Sequence, residues 1–161
     1  MKKKFLLPTS ESGQSLVELA ISLVVLLYLL SGAVEFGIIF FQFVQLRDAA
    51  QEGALYGSTA PYVDSNANGK FDSGEPVNQV KIDARVRASS SSPINLSDTS
   101  LVTVVIASDD GLNMFCEGHG LKVTVSYTHR IFMPFMPQLI GRTQIPLSAE
   151  VTDTILTPIC P

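Results

Sequence analysis

Charged residues are scarce in this sequence, and basic residues are the scarcer kind. Asp, Glu, Lys and Arg make up 16% of the 161 residues, and the formal net charge is −4. Proteins that bind nucleic acids need a basic patch to neutralise phosphates, so this composition argues against a nucleic-acid partner. Between Leu19 and Leu46 the only charged residue is Glu35. The apolar residues therefore concentrate in one N-terminal stretch.

Cysteine and histidine are also rare, with two of each. Cys116 and Cys160 belong to no CxxC pair, and His119 and His129 lie apart from any cysteine pair, so we do not expect a zinc site. If the region after the apolar stretch is exported, the two cysteines can form one disulfide. Otherwise they are two unrelated thiols.

The residue patterns that catalysis requires are missing as well. Ser126 and His129 are three residues apart, but no acidic residue follows at a spacing that would complete a catalytic group. Gly111, Gly118 and Gly120 do not have the spacing of a phosphate-binding loop. We therefore expect no enzymatic activity.

Proline is absent between Pro8 and Pro61, so nothing in that interval forbids one continuous helix. Residues 16–34 carry a single charge, Glu18. At 1.5 Å per residue they extend about 28 Å, close to the ~30 Å hydrocarbon thickness of a bilayer. We expect one helix from about residue 14 to residue 56. Its second half becomes amphipathic, with small and apolar residues three or four apart: Leu46, Ala49, Ala50 and Gly53.

Lysines precede this segment at positions 2, 3 and 4, and Arg47 is the first basic residue after it. The positive-inside rule predicts a single-pass protein of the cytoplasmic membrane, with its N-terminus inside and the rest of the chain outside. The segment could also be a plain uncleaved anchor, which leaves Glu18 without a role, or a signal peptide cut after Ala33. The polar residues 8–15 are atypical of a signal peptide.

Three sequence blocks carry a resemblance to a known family. GQSLVELA at 13–20, GAVEFG at 32–37 and AAQEGA at 49–54 resemble TadE-like pseudopilins of tight-adherence (Tad) pilus systems, a branch of the type IV pili. The resemblance covers about residues 11–57. It implies cleavage after Gly13 by a prepilin peptidase, an inner-membrane anchor in lipid, and contacts with other pilin or pseudopilin subunits through this helix. Leu19 stands where the major pilins usually have tyrosine, which favours a minor subunit.

The lone acids of the helix need a physical reason, because a charge in an apolar span is costly. Cleavage after Gly13 would leave a free amine on Gln14. In a bundle of such helices, the Glu18 carboxylate of one subunit and the ammonium of its neighbour would neutralise each other and set the axial register. Glu35 lies about 100° around the helix from Glu18. Two interpretations of Glu35 stay open: a side chain that reaches the outer membrane interface, or a contact with another subunit.

The strongest local motif is DSNANGKFDSGE at 64–75, which matches the EF-hand calcium loop at every specified position. Oxygen donors, the turn glycine and one backbone carbonyl fall at the expected positions: Asp64, Asn66, Asn68, Gly69, Lys70, Asp72 and Glu75. Only three of these are carboxylates, so we expect weak Ca²⁺ binding, at ~10⁻⁴–10⁻³ M. The alternative is a metal-free loop of Asx turns. Pro76 follows directly, and we expect the exit helix to begin there.

The rest of the sequence predicts a small domain. After the loop comes a helix that ends near Ala88, and β-branched segments predict strands at 101–107, 121–128 and 143–152. Pro146 places the third strand at a sheet edge. Residues 131–141 contain two prolines and predict a short broken helix. Their apolar cluster at 132–136 belongs either to the core or to a subunit-contact patch.

The expected fold class is therefore α+β, with a long N-terminal hydrophobic helix of the pilin type before a small antiparallel three-stranded sheet domain with short helices. We divide the chain into a leader (1–13), a transmembrane and assembly helix (14–57) and an extracytoplasmic domain (58–161). Two functions stay open. One is a peptidase-processed minor pilin of a Tad pilus, stabilised by calcium. The other is an uncleaved, membrane-anchored module for calcium-dependent surface adhesion. Only the first requires a free amine at Gln14.

Overall fold

The computed structural model describes residues 11–72 and 74–160. It confirms the α+β architecture, in which a long apolar helix precedes a three-stranded antiparallel sheet and two short helices. The elements in chain order are α1 (Glu11–Thr59), α2 (Gln79–Ala88), β1 (Val102–Ser108), β2 (Gly120–Arg130), α3 (Met136–Ile140) and β3 (Gln144–Thr154). Residues 1–10, which form most of the predicted leader, lie outside the described residues.

The predicted continuous N-terminal helix is confirmed. α1 has 49 residues, which corresponds to about 74 Å, and no proline interrupts it. Residues 16–27 are exposed along their whole length, whereas the C-terminal half packs against the sheet and α2. The stripe predicted from spacing alone forms this contact, because all four of its residues are buried: Leu46, Ala49, Ala50 and Gly53.

Two glycines of α1 allow this close packing. A β-carbon added at Gly53 would collide with the Val86 side chain of α2, and one added at Gly57 would collide with Leu121 of β2. Glycine at these positions therefore lets the helix backbone approach the domain to a distance that alanine would prevent. The core lies at this junction, between α1, α2 and one face of the sheet.

The sheet has the order β1-β2-β3, with both neighbouring pairs antiparallel. β2 is central, and its alternate residues face the core: Leu121, Val123 and Val125 are buried, Tyr127 is half-buried and His129 is buried. This alternation is the period-two pattern of a strand with one covered face. Pro146 lies in β3 opposite Thr128, which confirms its predicted edge position because β3 has no second neighbour among the described strands.

The start of α2 corrects one expectation. The helix begins at Gln79, not at Pro76, although its end at Ala88 agrees with the prediction. Val77 instead pairs with Tyr62 in an isolated antiparallel bridge, and the Asn78 N–H donates to the Pro61 carbonyl at 2.8 Å. These backbone bonds close the base of the acidic loop. The chain is therefore extended through Val77, and α2 begins only after Asn78.

Candidate functional sites: the N-terminal helix and the acidic loop

The N-terminal half of α1 is the first candidate site. The helix is long and apolar enough to cross a membrane, and only 6% of its most apolar window is buried within the protein. Residues such as Leu16, Leu19 and Leu30 are more than half exposed. Isolated apolar residues on a surface are ordinary, but an apolar surface of this extent marks contact with lipid or with other proteins.

Glu18 lies within this exposed surface. Its carboxylate accepts one hydrogen bond, from Nε2 of Gln14 at 3.0 Å. Among residues 11–72 and 74–160, no lysine, arginine or histidine lies within 4.0 Å of it. A β-carbon added at nearby Gly13 would meet, among the described residues, no atom within 4 Å beyond its chain neighbours and the backbone of its own helix. The described fold therefore neither neutralises Glu18 nor requires a glycine at position 13.

Glu35 has the opposite environment. It is only 2% exposed, and three donors converge on its carboxylate. Nε2 of His129 lies 2.5 Å from Oε1, the Met133 N–H donates to Oε2 at 2.8 Å, and the Phe132 N–H lies 3.2 Å from both oxygens. We call these residues the Glu35 site. The site joins α1 to the end of β2 and the segment after it.

This arrangement differs from both interpretations of Glu35 that the sequence left open. The carboxylate does not extend to the membrane interface and does not depend on another subunit, because His129, Phe132 and Met133 of the same chain bind it. A buried charge persists when it is paired and hydrogen-bonded. Sequence reasoning missed His129 as the partner. The signal that could have found it was the alternation of β2, since His129 follows Val125 and Tyr127 on the core-facing positions.

The acidic loop, residues 64–75, is the second candidate site. Its carboxylates accept hydrogen bonds from backbone N–H groups of the same loop. Oδ1 and Oδ2 of Asp64 accept the N–H groups of Asn68 and Gly69 at 3.2 and 2.8 Å. Glu75 closes the loop from the other end, accepting the N–H groups of Ser65 at 2.8 Å and Asp72 at 3.0 Å. Gly69 has a φ of 75°, a left-handed conformation that glycine adopts without strain.

Three of the expected calcium ligands meet at one point. Nδ2 of Asn66 and Nδ2 of Asn68 both lie 2.7 Å from the same Asp72 oxygen. Rotation of either amide would exchange its nitrogen for its oxygen at that point. Oxygen-bearing side chains, the kind that a hard cation binds, occupy loop positions one, three, five, nine and twelve. The structure brings Asn66, Asn68 and Asp72 together, whereas the carboxylates of Asp64 and Glu75 accept backbone N–H groups of the loop. The Lys70 N–H donates to Oδ1 of Asn68 at 2.8 Å.

The pKa values of groups in and beside the loop are also shifted. The Gly69 N–H that donates to Asp64 is the main reason that the pKa of this carboxyl lies below its usual value. Next to the loop, burial, reinforced by the negative charges of Asp64, Glu75 and Asp72, raises the pKa of Tyr62. The loop is thus a concentrated region of negative potential. It is held on the domain by Phe71, which is buried and packs edge-on against Tyr62 and Phe115.

The predicted disulfide is confirmed, as Cys116 and Cys160 are bonded. It ties the β1–β2 connection to the C-terminal segment. His119 lies beside the two sulfurs, and its ring and the sulfurs form a compact group of three donor residues. Because both sulfurs are bonded to each other, they offer no thiolate for a metal. His119 instead contacts Asp110 at 2.6 Å through Nδ1.

Comparison with protein families gives a match over the N-terminal helix. The model of TadE-like proteins matches residues 13–55, which lie within α1 and include Glu18 and Glu35. No curated protein and no solved structure matches the chain. The matched residues end before the acidic loop and the sheet domain. Over its N-terminal helix, this chain is therefore similar to TadE-like proteins, and it combines that helix with a disulfide-bonded α+β domain.

Proposed function

We propose that this chain is a TadE-like minor pilin, or pseudopilin, that takes part in assembling a Tad pilus at the membrane. The observation that carries the proposal is that the family match covers most of α1, including its exposed apolar half. A helix whose apolar surface is left uncovered by its own domain is suited to lie in lipid and then to pack against equivalent helices of other pilin subunits.

Processing by a prepilin peptidase between Gly13 and Gln14 is part of this proposal. Glycine at position 13 is free of any packing requirement in the described structure. A requirement imposed from outside, by a peptidase that admits no side chain at this position, accounts for the residue instead. Cleavage would leave the amine of Gln14 one turn from Glu18 on the same helix.

The role we assign to Glu18 follows from its lack of a cationic partner within the described chain. An uncompensated carboxylate in an apolar helix bundle is unfavourable by several kcal/mol. The ammonium of a neighbouring subunit's Gln14 would remove that cost only at one axial offset between the two helices. Glu18 would then both attract the neighbouring helix and fix the axial register between the two helices.

We further propose that the N-terminus lies in the cytoplasm and that the α+β domain lies outside the membrane. The lysines at positions 2–4 support this orientation through the positive-inside rule. The Cys116–Cys160 disulfide supports it independently, because disulfides persist in oxidising compartments outside the cytoplasm.

We also propose that the acidic loop binds one Ca²⁺, through the side chains of Asp64, Asn66, Asn68, Asp72 and Glu75 and the Lys70 carbonyl. The ion would neutralise a loop whose three carboxylates add to the effect of burial, which is the main cause of the raised pKa of Tyr62. It would also hold together the start and end of the loop, which the backbone bonds at Tyr62 and Val77 bring close. Its role would be structural stabilisation of the domain.

Mass spectrometry of the N-terminus, on protein purified from native membranes, tests the proposal most directly. A mature chain that begins at Gln14 is expected, and Gly13→Leu should leave the full-length precursor in the membrane. Ser12→Leu serves as the matched control and should be processed normally. A native chain that retains residues 1–13 would refute the pilin assignment and favour an uncleaved membrane-anchored adhesion module.

A further inference from the structure

The segment between β2 and β3 exposes a group of large apolar side chains. We call residues 131–141, which include α3, the α3 loop. Phe132 is 79% exposed, Leu139 66%, Phe135 47% and Ile140 41%. Single exposed apolar residues are ordinary, but four within nine residues form a patch that water solvates poorly.

The position of this patch along α1 suggests what it contacts. The Phe135 ring lies 5.4 Å from the Tyr28 ring, and the Met136 side chain lies against Gly32. Tyr28 and Gly32 both belong to the apolar span 16–34. At 1.5 Å per residue, Tyr28 is about 10 Å below Glu35 along the helix axis. The α3 loop therefore lies beside the part of α1 that is apolar enough for a membrane.

The Glu35 site holds the loop at this depth. Phe132 and Met133 donate their backbone N–H groups to the Glu35 carboxylate, and His129 binds it from the end of β2. The first residues of the loop are thus fixed at the upper end of the apolar span. The side chain of Phe132 does not take part in these bonds and remains free to project outward.

Charge at the two ends of the loop completes the pattern. Arg130 precedes the loop and Arg142 follows it, and both are exposed. Within the described residues neither forms a salt bridge. A cluster of aromatic and aliphatic residues between two free arginines matches a membrane interface, where apolar groups enter the acyl chains and guanidinium groups contact lipid phosphates.

We propose that the α3 loop is a second membrane contact of this protein, inserted into the leaflet on the side of its α+β domain. The proposal rests on the anchoring of α1 in a bilayer. Lipid is favoured over a neighbouring subunit because the patch continues the apolar surface of α1 at the same depth and is bounded by arginine. The domain would then rest against the bilayer surface instead of standing away from it.

The absence of tryptophan from the chain makes a direct experiment possible. Single tryptophans are introduced into the full chain by Phe132→Trp or Phe135→Trp, and each protein is reconstituted into phosphatidylcholine vesicles with and without brominated acyl chains. Bromine quenches tryptophan emission only on contact. Leu23→Trp, within the span, reports on anchoring. Leu112→Trp is the control for a position outside the bilayer. Leu112 precedes β2 and the α3 loop follows β2, and the two ends of this strand are about 33 Å apart.

The expected result is loss of emission for Leu23→Trp, Phe132→Trp and Phe135→Trp in brominated vesicles, and unchanged emission for Leu112→Trp. Bromine near the headgroup end of the acyl chains should quench Phe132→Trp more than bromine near the chain ends. If Leu23→Trp is quenched while both loop variants behave like Leu112→Trp, the proposal is wrong although anchoring stands. If Leu23→Trp is also unquenched, anchoring and the proposal both fail.

A protein contact has its own signature. Emission from the loop variants that shifts to the blue without any bromine quenching would show burial against another chain, which would overturn the lipid assignment. A second measurement uses hydrogen exchange of the Phe132→Ser variant, which keeps the backbone bonds to Glu35. This variant should lose protection of residues 131–141 from hydrogen exchange in vesicles but keep wild-type exchange in strands β1 and β3.

Discussion

Replacement of Glu35 by alanine should loosen the junction between α1 and the domain. The change removes the acceptor of three donors, and each buried donor left without a partner costs roughly 1–3 kcal/mol. His129 is 3% exposed and cannot turn to water, whereas the N–H groups of Phe132 and Met133 are only partly buried. We therefore expect a loss of about 3 kcal/mol, at the lower end of the range for breaking a buried pair.

The measurement is amide hydrogen exchange of the full chain in detergent micelles, followed by mass spectrometry. A loss of about 3 kcal/mol corresponds to about 100-fold faster exchange, and it should appear in peptides that cover residues 129–133. Glu35→Gln keeps an oxygen acceptor and removes the charge, so it should give an intermediate effect. Glu18→Ala is the matched control, as the same change on the exposed face of the same helix. Equal exchange in Glu35→Ala and Glu18→Ala would refute this account of the Glu35 site.

Three further outcomes are expected. Glu18→Ala should insert into the membrane normally but enter pilus assemblies poorly; unchanged recovery of the subunit with sheared pili would contradict the register role. In full-length protein, Ca²⁺ at ~100 times its dissociation constant should stabilise the domain by about 2.7 kcal/mol, and Asp64→Ala with Glu75→Ala should abolish that gain; a wild-type melting curve indifferent to Ca²⁺ at that excess and to chelator would exclude the ion. Gly57→Ala should destabilise by about 1–3 kcal/mol through its collision with Leu121, whereas Gly37→Ala, in open space, should not; equal melting temperatures would show that the packing relaxes.

The elements of the fold were predictable where local periodicity determines them. An uninterrupted apolar stretch predicted α1, and β-branched alternation predicted the three strands to within two residues. The start of α2 was not predictable in the same way. A proline after the loop suggested a helix at Pro76, but the backbone of Val77 and Asn78 is used to close the loop base. Such bonds join residues from both ends of a loop and leave no mark in local sequence.

The Glu35 site shows where sequence reasoning stops. Glu35 and His129 are 94 residues apart, and neither has a neighbour in sequence that would identify the other. Their contact depends on how far the domain extends down α1. The alternation of β2 could have placed His129 on the covered face, but the predicted strand ended at residue 128. An extension of the pattern by one residue would have put an imidazole opposite the helix that carries a lone acid.

The two acids of α1 therefore have different roles, and the difference bears on assembly. Glu35 is satisfied within its own chain by His129 and two backbone N–H groups, so it has little free energy to gain from a neighbouring subunit. Glu18 is exposed and bonded only to the Gln14 side chain within the described residues, so it can still gain free energy from a cation of a neighbouring subunit. If helices of this kind pack side by side, their register should depend on Glu18 and be insensitive to Glu35, whose substitution should instead change how the domain is held against α1.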